Sequence, residues 1–81
     1  MNIKVENNDL VVNDEIVLSV GSVLVDKLNK FRKFKVSSMD LHFIKLEKIA
    51  VGEFEKQELG KGAERQTKHF LDGTSGLILS E

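Results

Sequence analysis

The clearest structural signal in this chain is the run Ile16-Val17-Leu18-Ser19-Val20-Gly21-Ser22-Val23-Leu24-Val25-Asp26-Lys27-Leu28. Two segments of high β propensity flank Gly21-Ser22, and glycine at the first central position favours a type II′ turn between paired strands. Such a hairpin would pair Leu18 with Val25 and place the apolar side chains on one face. The run therefore predicts two adjacent antiparallel strands that contribute to the core.

Residues 23–34 also fit a helix. Ser22 would be its N-cap, and Leu24, Leu28 and Phe31 would lie on one side. This helix would put a lysine in the middle of its apolar arc, so the hairpin is the preferred interpretation. The helix remains the alternative for this segment.

Turn residues recur through the first part of the chain. Asn7-Asn8 and Asn13-Asp14 each separate short segments of β-forming residues, as Gly21-Ser22 does. This spacing predicts an antiparallel meander. The expected fold class is β-rich α+β, a small antiparallel meander or barrel-like sheet with at most one or two short helices, and an all-β fold is the alternative.

The rest of the chain holds further strand signals and one helix signal. Middle strands are predicted over residues 34–36, 41–47 and 49–55. Residues 62–71 favour a helix, with Gly73 at its C-cap, and residues 77–79 form a short final strand. The alternative for this part is a hairpin over residues 67–79.

The composition indicates one small domain. The 81 residues include no proline and no cysteine, so we expect a single domain over residues 1–81. Without disulfides, a chain of this size gains stability most readily from a partner subunit. Residues 1–20 carry one basic against four acidic residues, and residues 21–40 carry five basic against two acidic residues. These opposed charges favour contact between copies, so we expect a homo-oligomer.

The segment 27–35 is the most basic part of the chain, and its cations are interleaved with Phe31 and Phe34. Proteins that bind single-stranded nucleic acid use such interleaved cations and aromatic rings. This chain, however, has a net charge of −1 and lacks Trp and Tyr. We interpret the segment as a strand with a solvated face and do not expect a nucleic-acid partner. The sequence shows neither a signal-peptide pattern nor an apolar run of membrane-spanning length, so we expect a cytoplasmic protein without membrane contact.

No catalytic or metal-binding set of residues is recognisable. His42 and His69 match no metal-ligand spacing. Gly73-Thr74-Ser75-Gly76 lacks the final glycine of the GxSxG nucleophile motif. Since no acid, base and nucleophile combine, we expect neither an enzyme nor a cofactor or metal site.

The candidate binding segment is Gly60–Gly76, which holds four of the six glycines. It combines backbone freedom with cationic donors and hydroxyls, a combination suited to phosphate or carboxylate. The predicted ligand-binding residues are Lys61, Arg65, Lys68, His69, Thr74 and Ser75. The alternative interpretation is a solvated helix between glycine caps, followed by a polar loop.

These features predict a non-catalytic, homo-oligomeric binding protein that captures a small phosphate-bearing anion, such as a nucleotide, through residues 60–76. The alternative is a protein-binding inhibitor or adaptor that uses an exposed strand edge and the charged segment 27–35. The Lys-, Asn- and Ile-rich composition is typical of a bacterial or phage accessory protein, for example one of counter-defence or regulation.

Overall fold

The computed structural model describes residues 2–80, which form two antiparallel sheets. The strands are β1 Ile3–Glu6, β2 Asp9–Val12, β3 Glu15–Ser19, β4 Val23–Asp26, β5 Lys33–Met39, β6 Phe43–Ala50, β7 Gly62–Gln66 and β8 Leu77–Leu79. A 3-10 helix, Glu53–Glu58, lies between β6 and β7, and an α-helix, α1 Thr67–Asp72, lies between β7 and β8. The predicted β-rich α+β fold is confirmed.

The first sheet is a meander in the order β1-β2-β3. Its two tight turns have positive φ at both central residues, 54° and 65° at Asn7 and Asn8, and 51° and 68° at Asn13 and Asp14. Such φ values define the type I′ turn, whose twist matches that of the flanking strands, and Asn and Asp tolerate them better than other non-glycine residues. The meander predicted from these turn residues is therefore confirmed for the first three strands.

The predicted hairpin around Gly21 is wrong, because its two strands belong to different sheets. Strand β3 pairs with β2, whereas β4 pairs with β5 and β8. The Ser22 N–H donates to the Ser19 carbonyl oxygen at 3.0 Å, so Gly21, with a φ of 93°, takes the third position of the turn. The Gly21 N–H donates to the Val36 carbonyl oxygen at 2.9 Å. This turn therefore carries the chain from the first sheet to the second.

The second sheet has the order β7-β6-β5-β4-β8 and curls into a half-barrel. The side chains of β6 alternate, with Ile44 and Leu46 buried and Phe43, Lys45 and Glu47 exposed. The helical alternative for residues 23–34 is excluded, because that range holds β4, the β4–β5 loop and the start of β5. Inward side chains of both sheets form one core, made of Leu10, Leu18, Leu24, Phe34, Val36, Ile44, Leu46 and Leu77.

Two further segments depart from the sequence prediction. Residues 49–55 do not form a returning strand, because β6 ends at Ala50 and the 3-10 helix follows. Residues 62–66 form β7 instead of a helix, since pairing with β6 satisfies their backbone groups and outweighs local helix propensity.

The predictions for the end of the chain are confirmed in part. Helix α1 ends at Asp72 and is capped by Gly73, whose φ of 83° is the left-handed conformation expected of a C-cap. Strand β8 is the predicted final strand, but it pairs with β4 and not with a segment after Thr67. Within residues 2–80, no helix is long and apolar enough to cross a bilayer.

Candidate anion-binding pocket

A pocket of about 230 Å³ opens on the inner face of the half-barrel, beside the 3-10 helix. Phe34 and Ala63 contribute apolar wall. Six charged side chains also line it, namely Asp26, Arg32, Lys48, Glu55, Glu58 and Arg65. They come from three strands, the β4–β5 loop and the 3-10 helix, so only the folded second sheet brings them together.

Strand alternation directs two of the pocket cations inward. Lys48 lies two residues after Leu46 on β6, so both side chains are on the same face. Arg65 of β7 is opposite Ile44, and Ala63 is opposite Leu46, and residues opposite each other share a face. The inner face therefore changes from an apolar core to a charged pocket.

Arg32 is held by two carboxylates. Its Nε and Nη2 donate to Oε1 and Oε2 of Glu55 at 3.0 and 2.6 Å, and its Nη1 lies 3.8 Å from the Asp26 carboxylate. The hydrogen bonds and charge of Glu55 raise the pKa of Arg32 above its ordinary value. This guanidinium is already satisfied, so it is poorly placed to take a ligand.

Glu58 is held by two lysines. Lys61 Nζ lies 3.1 Å from one of its carboxylate oxygens, and Lys48 Nζ lies 4.0 Å from the other. The hydrogen bond from Lys61 and the charge of Lys48 lower the pKa of Glu58. Both lysines are therefore partly neutralised at the pocket.

Arg65 differs from the other pocket cations. Its Nη1 donates to the Glu64 carbonyl oxygen at 2.9 Å, and no carboxylate within residues 2–80 lies at salt-bridge distance from it. Its side chain is partly buried against the pocket wall. Arg65 thus presents a guanidinium whose charge is free, in the described part of the chain, to attract an anion.

The structure does not gather the six predicted ligand-binding residues into one site. Arg65 lines the pocket, and Lys61 reaches its margin through Glu58. Lys68 lies in a separate depression together with His42. The physical reason is the strand over residues 62–66, whose alternation separates side chains that a helix would have grouped on one side.

The remaining three residues serve the end of α1. The carbonyl oxygen of His69 accepts hydrogen bonds from the N–H groups of Thr74 and Ser75 at 2.9 and 3.0 Å. The Thr74 hydroxyl donates to the Asp72 carboxylate, and the Ser75 hydroxyl oxygen accepts from the Leu77 N–H at 3.2 Å. The hydrogen bonds from Thr74 lower the pKa of Asp72. These groups stabilise the turn that follows α1.

Sequence reasoning missed the carboxylates of the pocket and two of its cations. The sequence places Glu55 in a predicted strand and Arg32 on a predicted solvated face, although the two residues form the shortest ion pair among the pocket residues. Nothing in their spacing of 23 residues signals this contact. Lys48 was detectable in principle, because it continues the inward alternation of β6.

Residues 2–80 contain no cluster of three or more His, Asp or Glu side chains suited to a metal ion.

Asp40 accepts hydrogen bonds from the N–H groups of Phe43 and His42 at 2.8 and 2.7 Å, which lower its pKa. This carboxylate closes the β5–β6 turn.

Comparison with known proteins gives no match to a protein-family model, a curated protein or a solved structure.

Proposed function

We propose that this protein is a non-catalytic binding protein that captures a small anion, a phosphate-bearing or carboxylate group, in the pocket around Arg65. The observation that supports the proposal is the contrast between Arg65 and the other pocket cations. Arg32 and Lys48 have carboxylate partners, whereas Arg65 has none within residues 2–80. A guanidinium presents paired donors in a fixed plane, which match two oxygens of a phosphate or carboxylate.

The volume of the pocket limits the size of the group that it can hold. Its volume of about 230 Å³ is below the roughly 300–1,000 Å³ typical of sites for drug-sized molecules. A phosphate or pyrophosphate group suits this volume better than a complete nucleotide. If the ligand is a nucleotide, we expect the phosphate to occupy the pocket and the base to extend toward solvent.

Isothermal titration calorimetry tests the proposal with inorganic phosphate, pyrophosphate and mono-, di- and cyclic nucleotides. For the compound that binds, Arg65→Ala should weaken affinity by roughly 1.5 to 3 kcal/mol, the loss of a hydrogen bond to a charged group. Arg65→Lys should restore only part of it, because lysine keeps the charge and loses the paired donors.

Lys33→Ala is the matched control, since Lys33 is exposed on β5 and does not line the pocket. It should leave affinity nearly unchanged. The proposal is contradicted if none of these compounds binds. It is also contradicted if the affinity is unchanged in Arg65→Ala but falls in Lys33→Ala.

A protein-binding module is the second candidate, because three large apolar side chains project from one end of the second sheet. Leu28 and Phe31 in the β4–β5 loop are 96% and 76% exposed, and Phe54 in the 3-10 helix is 92% exposed. We call these three residues the apolar end. Native mass spectrometry separates the candidates, since a bound anion and a bound protein add very different masses.

A further inference from the structure

The apolar end is a preorganised surface. The Arg32–Glu55 ion pair holds the β4–β5 loop against the 3-10 helix, so the segments that carry Phe31 and Phe54 lie next to each other. Its three side chains are the most exposed large apolar residues of the described chain. Large exposed apolar side chains on adjoining segments are typical of interaction sites.

The same loop is basic. Lys27 and Lys30 lie beside Leu28 and Phe31, and neither lysine forms an ion pair within residues 2–80. Lys27 Nζ makes one long contact, 3.4 Å, with the Gly73 carbonyl oxygen. A partner for the apolar end should therefore combine apolar contact with negative charge.

A recess with that character exists on the first sheet. We call this recess the acidic groove; it has a volume of about 270 Å³ and is lined by Lys4, Glu6, Asn7, Asp9, Val11, Asp14 and Ile16. Pairing of Val11 with Lys4 and with Ile16 places these side chains on one face of the sheet. Val11 is the buried floor, and Ile16 is 62% exposed.

The groove is net acidic. Lys4 lies 3.5 Å from a carboxylate oxygen of Glu6 and neutralises that residue. The carboxylates of Asp9 and Asp14 remain as its excess negative charge. The groove thus offers an apolar floor between carboxylates, which is the complement of apolar side chains between lysines.

We propose that the apolar end of one copy docks in the acidic groove of a second copy, head to tail. The two surfaces belong to different sheets, and β4 carries the chain about 13 Å from the turn at Gly21 before the loop begins. In a single copy the groove is open, and no residue of the apolar end lines it. A head-to-tail contact uses two different surfaces, so it closes as a ring or extends as a chain of copies. The proposal does not depend on anion binding by Arg65.

Two variants test this contact by complementation. Phe31→Asp disables the apolar end and leaves the groove intact, and Ile16→Lys disables the groove and leaves the apolar end intact. Sedimentation velocity at roughly 100 µM protein should show association of the wild type that rises with concentration. Each variant alone should sediment as a 9.1 kDa monomer. An equal mixture should form a dimer of twice that mass and nothing larger, because one functional contact remains.

The contact should also weaken by at least tenfold when NaCl rises from about 50 to 500 mM, since lysines face carboxylates across it. Ile78→Asp, at an apolar residue that is 43% exposed and belongs to neither surface, is the control and should associate as the wild type does. Leu28→Asp replaces Phe31→Asp if circular dichroism shows that the latter is unfolded.

Three outcomes overturn the proposal. The first is a wild type that stays monomeric at every concentration. This outcome overturns the proposal even if the apolar end binds vesicles of anionic phospholipid or another protein. Association that survives in Ile16→Lys indicates contact between two apolar ends. A mixture of folded variants that remains monomeric shows that the two surfaces do not meet.

Discussion

Arg32 and Glu55 are far apart in sequence, yet the guanidinium of one meets both carboxylate oxygens of the other, at 3.0 and 2.6 Å. This contact ties the β4–β5 loop to the 3-10 helix and forms one side of the charged pocket. The 3-10 helix buries none of its own side chains, so the ion pair is a main restraint on its position.

Glu55→Ala should therefore loosen the 3-10 helix more than it lowers global stability. We expect faster amide hydrogen exchange over residues 53–58 and a small decrease in melting temperature, which shrinks as salt screens the pair. Glu53→Ala, on the same helix and outside the ion pairs of the described residues, is the control. Equal exchange rates in the two variants would contradict this role for Glu55.

Gly21→Ala should destabilise the protein by about 1 kcal/mol, because a Cβ is disfavoured at a φ of 93°. Space is not the reason, since no heavy atom beyond the adjoining residues lies within 4 Å of that Cβ. Gly62→Ala is the matched control, since Gly62 lies in a strand and its Cβ would meet only an ordinary contact at 3.8 Å. Urea denaturation of both variants measures the difference. If Gly62→Ala costs as much, backbone strain at Gly21 is not the cause.

Thr67 is 1% exposed, and its hydroxyl donates to the Asp40 carbonyl oxygen at 2.8 Å. Thr67→Val preserves the shape but leaves that carbonyl without this donor, so we expect a loss of about 1 to 3 kcal/mol in unfolding free energy. Thr67→Ser keeps the hydroxyl and should cost less. A greater loss for serine than for valine in chemical denaturation would show that packing, not the hydrogen bond, dominates.

Stability should fall in acid through Asp40, Glu58 and Asp72, whose pKa values are lowered in the folded protein. A lowered folded pKa means that the contribution is complete above the unfolded pKa and is lost as pH falls through the folded value. Melting temperatures should therefore be flat above about pH 5 and decrease below the ordinary values of 3.8 for Asp and 4.5 for Glu.

Asp40→Asn tests this acid sensitivity, because asparagine cannot lose a charge in acid. Between about pH 5 and pH 2, we expect the melting temperature to decrease less steeply than in the parent, as measured by circular dichroism. This interval extends roughly one unit beyond the ordinary carboxyl pKa values on either side. Glu53→Gln controls for the removal of one negative charge. A decrease as steep as that of the parent in Asp40→Asn would exclude Asp40 as a contributor.

The parts of the fold that the sequence predicted are those set by neighbouring residues. Asn7-Asn8 and Asn13-Asp14 signal their own turns, and Gly73 signals its own cap. The predicted pairing of β3 with β4 is wrong because the choice of partner strand depends on residues far away in the sequence. The predicted helix over residues 62–66 is wrong because local helix propensity takes no account of pairing with β6. Of the candidate site, Arg65 was predicted, whereas its surroundings come from the fold.

The half-barrel also implies an order of folding. Among residues 2–80, every strand pair joins sequence neighbours except β4 with β8, in which Leu24 is opposite Leu79. Closing a loop of this length costs more chain entropy than pairing two strands that are neighbours in sequence. We therefore expect β8 to dock after the other strands of the sheet have formed. Until it docks, one side of β4 offers unpaired backbone groups, and this is the period in which the folding chain is most exposed to pairing with the wrong strand.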